Sequence, residues 1–250
     1  MEIIGPYITN FLFILLRVGI VMSMLPFFGS KNFPAQFKIG LVIAITLVLT
    51  PVIDVKVVRA DIPFLVMREL IMGIALGLVT RLVFLAVETA GQVMSNAMGL
   101  SLASVFNPEI GQSTEIAQVY GIITMLLFLA MDAHHDLIYI FVRSYEWLPA
   151  GHIAIENIAA EVISTSGLIF VMAVKISAPV VIAMLISSLI LGFLYKAAPQ
   201  MNIFFIGYPI YIFIGFIVIL TSMPVMVPVI GNYFSVMKDE MARIIALARG

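Results

Sequence analysis

Four charged residues stand in stretches that are otherwise apolar: Arg17, Arg81, Glu88 and Lys175. An ionisable group at bilayer depth costs roughly 3 kcal/mol at mid-helix and is kept where it meets an opposite charge, water or a substrate. Arg17, in the middle of the first apolar stretch, therefore calls for a carboxylate in this chain or in a neighbouring subunit. Arg81 and Glu88 are seven residues apart, which puts them on nearly the same face of a helix, two turns apart. Buried pairing and projection beyond the bilayer account for these two equally well. A second constellation, Asp132, His134, His135 and Asp136, has the residue types of a metal site. All four fall in one local cluster with no distant ligand in view. A polar cap where two half-length helices reach an interface explains them better, so no metal, no cofactor and no catalytic residue is expected.

The elements that would position these groups follow from composition. The chain has 250 residues, of which 62% are hydrophobic and 11% charged, against about 25% charged in a soluble domain. This is the composition of an all-α integral membrane protein. The absence of cysteine excludes disulfides and thiolate chemistry. A net charge of −1 argues against nucleic acid, which needs a concentrated basic face. No linker or repeat divides the chain, so residues 1–250 are expected to form a single membrane domain. The first apolar stretch lacks a basic leader and is expected to stay in the membrane.

The apolar runs predict about six long helices arranged as helical hairpins, some short or kinked: residues 8–28, 39–53, 64–98, 119–131, 167–194, and a sixth ending near 230. The second and fourth are short for a hydrocarbon core of roughly 30 Å, and the third is too long for it. Pro179 is expected to kink the fifth, and Pro224 and Pro228 to break the sixth. Residues 155–164 read as a modest polar helix. Residues 232–250 read as a separate amphipathic C-terminal helix lying on the membrane surface or against a partner. The third helix carries small residues at four-residue spacing, including Gly73, Gly77 and Gly91, which let helix backbones approach closely. If six segments cross, the basic residues between them favour both termini in the cytoplasm.

Two non-helical stretches stand out. Between the third and fourth helices lie Val105, Phe106, Asn107, Pro108, Glu109, Ile110 and Gly111. Asn107-Pro108 and Gly111 stop a helix. The surrounding loop has no Lys or Arg and carries bulky apolar side chains that a solvated loop has little reason to carry. Irregular apolar backbone at the mouth of a bundle is tolerated where it is buried or lines a cavity. The loop is then either a plug across a pore or an ordinary connection packed on its neighbours. The second stretch is a hairpin turn holding Pro199, Gln200, Met201, Asn202, Gly207 and Pro209 between two apolar runs.

These motifs carry a resemblance. Ala198-Pro199-Gln200-Met201-Asn202-Ile203-Phe204 with Ile206-Gly207-Tyr208-Pro209 is its most specific part. Gly99-Leu100-Ser101 followed by Phe106-Asn107-Pro108 is the second, and Glu69 before Gly73-Ile74-Ala75-Leu76-Gly77 the third. In that order, over essentially the whole chain, the sequence resembles the FliR family of flagellar and virulence type III secretion export-gate proteins, and Met201 leans towards the flagellar branch. The resemblance implies a non-enzymatic subunit of the flagellar export gate in the bacterial inner membrane, within the flagellar basal body and raised towards the periplasm. It implies two other small multi-pass partners, of FliP and FliQ type, an FlhB-type switch protein, and unfolded flagellar subunits as cargo. It also implies that Val105–Gly111 plugs the channel. Two rival readings stay open. A six-helix secondary transporter acting alone would gather Arg17, Arg81, Glu88 and Lys175 into one coupling site. An intramembrane enzyme would use His134, His135 and the adjacent aspartates.

Overall fold

The computed structural model describes residues 4–26, 34–53, 62–101, 115–147, 154–200 and 203–248. Seven α-helices account for them, with no strand among the described residues: α1 (Ile4–Met24), α2 (Ala35–Leu49), α3 (Ile62–Ala97), α4 (Glu115–Ala130), α5 (Ala133–Trp147), α6 (Ile155–Ala197) and α7 (Ile203–Ala248). The all-helical membrane class read from composition is the class observed. Four of the helices, α1, α3, α6 and α7, are long and apolar enough to cross a membrane, and a fifth span results if α4 and α5 together make one. α2 has 15 residues, a rise of about 22 Å, and falls short. The orientation argument above assumed six crossings, and the described residues supply four or five.

The helix boundaries depart from the pattern in two places. Residues 155–164 are not a separate helix; they open the 43-residue α6, which runs through Gly167 and Pro179. The Ser166 hydroxyl donates to the Val162 carbonyl, so a polar residue at the expected break is satisfied on the helix itself. Likewise α7 continues for 46 residues through Pro209, Pro224 and Pro228. Near Pro224, Thr221 donates to Ile217 and Ser222 to Ile219, placing hydroxyl donors on carbonyls close to the proline.

The chain divides into two compact units, each assembled from separated pieces of sequence. The first holds α1, α2, α3 up to Val83, α5, α6 up to Gly167 and α7 from Phe234. Its interior includes Phe13, Ile14, Val18, Met72, Leu76, Ile140, Met237, Met241 and Ile245. The amphipathic C-terminal stretch belongs here. Its apolar stripe of Phe234, Met237, Met241, Ile244 and Ile245 is buried within the chain's own unit, rather than resting on a membrane surface or a partner. Met241 lies beside the Thr80 hydroxyl at 3.7 Å, and Lys238 reaches Asp136 at 2.6 Å. The second unit holds α3 from Phe84, α4, α6 from Leu168 and α7 up to Tyr233. Its core includes Phe84, Val87, Met94, Met98, Tyr120, Phe128, Met172, Met184 and Met226. Phe84 and Phe128 meet edge to face at 5.5 Å. Methionine recurs in both cores, where its flexible thioether fills irregular gaps between helices.

Candidate functional site

Arg17 is buried, with 1% of its side chain exposed, and its partner is Glu69 of α3, which is fully buried. Arg17 Nη2 stands 2.6 Å from Glu69 Oε2. Its Nη1 donates to Ser144 Oγ of α5 at 2.5 Å, and that hydroxyl donates on to the Phe141 carbonyl at 2.6 Å. The guanidinium also lies 3.8 Å from the ring centroid of Tyr145, a cation–π contact in a dry setting. A second arginine shares the carboxylate: Arg68 Nη2 donates to Glu69 Oε1 at 3.1 Å, with 4% of the Arg68 side chain exposed. The cluster therefore joins α1, α3 and α5 inside the first unit. It orients three helices through directional bonds in a medium where a lone charge is costly. Sequence reasoning marked Arg17 as needing a carboxylate but did not find Glu69, Ser144 or Tyr145. Glu69 sits one turn before Gly73 on α3, the only local signal it offers.

The other charges are not gathered with it. Arg81 is exposed and Glu88 half-buried, and neither takes part in an ion pair among the described residues. Lys175 is exposed, its ammonium 6.0 Å from the Tyr233 ring. Asp132, His134 and His135 present ligand atoms within 4.8 Å of one another. Asp132 adopts φ 57°, a left-handed conformation that Asp tolerates better than most residues, and it separates α4 from α5. Its Oδ1 lies 3.3 Å from His135 Nδ1, and both side chains are largely exposed. Among the described residues, these three are the group whose types could hold a cation.

Three glycines of α3 mark where neighbouring helices approach closely. A Cβ at Gly73 would meet the Ile20 side chain at 3.2 Å, and one at Gly77 would meet Met24 Sδ at 3.1 Å and the Val21 Cα at 3.2 Å. Both lie against α1. A Cβ at Gly91 would stand 2.5 Å from the Cα of Ala117 on α4, so that crossing has room for hydrogen alone.

The end of α3 is built with equal economy. The Leu100 N–H bonds the Ser95 carbonyl at 3.0 Å and the Gly99 N–H bonds the Asn96 carbonyl at 3.1 Å, the paired bonds of a Schellman cap. Gly99 takes φ +79°, which such a cap requires. Against it lies Tyr208 of α7: a Cβ on residue 99 would fall 2.7 Å from Tyr208 Cε1. Two sequence motifs far apart in the chain thus meet at one point. Val105, Phe106, Asn107, Pro108, Glu109, Ile110 and Gly111 lie outside the described residues, as do Met201 and Asn202. Pro199 and Gln200 form an exposed turn after α6, where the Ala198 N–H still bonds the Leu194 carbonyl. Gly207 and Pro209 are not part of that turn. They stand inside α7, which already begins at Ile203.

The family model described as bacterial export proteins, family 1, matches residues 8–237. Among curated proteins, the flagellar biosynthetic protein FliR of Bacillus subtilis is 30% identical over 246 residues, covering 95% of each chain. The protein of the same name from Escherichia coli K12 is 31% identical over 237 residues, covering 93% of this chain and 91% of its own. That of Pectobacterium carotovorum is 28% identical over 244 residues, covering 96% and 94%.

Proposed function

We propose, for a chain that belongs to the bacterial export proteins, family 1, the role of a subunit of the flagellar export gate that helps to form and seal the conduit for unfolded flagellar proteins. Its place in flagellar export follows from relatives that it matches nearly end to end. The finer reading is that residues Val105–Gly111 act as the plug. The observation that carries it is the root of that loop. α3 is stopped by a Schellman cap at Gly99, and the capping residue is pinned by Tyr208. Such a root would give a plugging loop a fixed point of departure. In this reading the chain is not an enzyme. It works with FliP-, FliQ- and FlhB-type partners in the inner membrane, raised towards the periplasm, as one membrane domain, and Gly73, Gly77 and Gly91 hold its helices close enough to leave no leak between them.

A transporter acting alone would need Arg17, Arg81, Glu88 and Lys175 to serve one site. Arg17 is committed to Glu69, and Arg81 and Lys175 are exposed, which weighs against that alternative. The test is purification of the tagged chain from its native membrane in mild detergent, with mass spectrometry of what accompanies it. Stoichiometric recovery of two other small multi-pass proteins is expected. Recovery of a stable, monodisperse chain alone would overturn the gate reading.

A further inference from the structure

The constellation at the start of α5 is not spent on capping that helix. A polar cap would set the Asp132 carboxylate on the free N–H groups of the first turn. Instead the Asp132 main-chain carbonyl closes the turn, accepting the His135 N–H at 2.9 Å and the Asp136 N–H at 3.4 Å. Among the described residues the carboxylate takes no backbone N–H, and its Oδ1 lies 3.3 Å from His135 Nδ1. Successive residues of a helix point about 100° apart and do not ordinarily face each other, yet the His134 and His135 rings stand 4.1 Å apart between centroids. The sequence pointed away from a metal because no distant ligand was in view. The local groups already converge, with the ligand atoms of Asp132, His134 and His135 within 4.8 Å of one another. Donors on one tetrahedral zinc ion stand about 3.3 Å apart, which is the Asp132–His135 separation. The His135 and Asp132 side chains are 69% and 72% exposed, so side-chain rotation alone can close the rest. Asp136 does not compete for the ion, because it is paired with Lys238 at 2.6 Å.

We propose that Asp132, His134 and His135 hold one divalent ion of the zinc class, a staple that fixes the left-handed turn before α5. Two imidazoles and a carboxylate suit zinc and its neighbours, whereas magnesium and calcium call for oxygen donors. Three protein ligands leave the fourth position to water. The site stands apart from the gate reading, since it uses only residues of one compact unit.

The experiment uses the full chain with a tag that contains no histidine, purified in detergent and freed of metal with a chelator. Wild type, Asp132→Asn and His135→Ala are titrated with zinc by calorimetry, and thermal unfolding is followed with and without zinc. Wild type is expected to bind one ion per chain and to unfold at a higher temperature when zinc is present, because a ligand of the folded state stabilises it. Each variant should bind at least about 10-fold more weakly, the loss that even a residue supporting a metal ligand brings, and should lose the thermal shift. Should His135→Ala fail to fold, the exposed and nearly isosteric Asp132→Asn carries the test. Absence of saturable zinc binding to wild type overturns the proposal. So does binding that the variants retain, which would place the ion on other groups. Equal affinity for magnesium would reduce the site to an unspecific patch of charge and overturn it as well.

Discussion

Tyr208 lies on Gly99 so closely that a methyl group at residue 99 would fall 2.7 Å from its ring. The contact joins the end of α3 to the start of α7 inside one compact unit. It fixes the point from which the loop carrying Phe106, Asn107 and Pro108 departs.

Gly99→Ala meets two separate costs, a left-handed φ of +79° and the Tyr208 ring. The backbone term alone is about 1–2 kcal/mol. We expect the substitution to lower the unfolding temperature of the purified chain and to impair motility. Combined with Tyr208→Ala it should recover only the part due to the ring clash. Full recovery in the double variant would mean that the left-handed conformation carries no cost.

Glu69 is the common acceptor of Arg17 and Arg68, at 2.6 and 3.1 Å. Glu69→Gln leaves two buried guanidinium groups facing a neutral amide. Breaking one buried ion pair costs about 3–5 kcal/mol, so the accumulated level of this variant should fall sharply. Ser144→Ala removes a single hydroxyl acceptor and should cost about 1–3 kcal/mol. Unfolding in denaturant, run on both variants, should place Glu69→Gln well below Ser144→Ala, and the reverse order would dissolve the cluster as an organising element.

Gly91 and Gly167 make a matched pair. A Cβ at Gly91 would collide with the Ala117 backbone at 2.5 Å, whereas one at Gly167 meets nothing within 4 Å. Gly167→Ala is expected to stabilise α6 by about 0.5–1 kcal/mol through helix propensity. Gly91→Ala should destabilise the chain, because backbone cannot move aside as a side-chain tip can. Thermal shifts of the same sign in the two variants would contradict the α3–α4 crossing.

Much of this was legible in the sequence, and the limits have physical causes. Continuous apolar runs marked the helices because a bilayer demands them. Small residues at four-residue spacing marked the face of α3 that meets α1 and α4. Arg17 announced its need for a carboxylate. Which carboxylate was hidden, because Glu69 lies 52 positions from Arg17 in the chain and next to Arg68, and it serves both. The prolines misled. Pro209 read as part of a turn and Pro224 and Pro228 as breaks, yet α7 carries all three, since a helix packed among apolar neighbours tolerates proline. The amphipathic stripe from Phe234 to Ile245 was visible as a stripe. Its cover was not, because periodicity gives a face and not what lies on it.

The proposal that Val105–Gly111 plugs the channel is tested most directly by one measurement. The chain lacking residues 104–111 is co-expressed with its gate partners, the complex is verified by co-purification, and ion leak across the membrane is recorded. The account predicts an assembled complex in a membrane that leaks ions, against a tight membrane for the wild type. A fully assembled complex in a membrane as tight as wild type would contradict it and make the loop an ordinary connection.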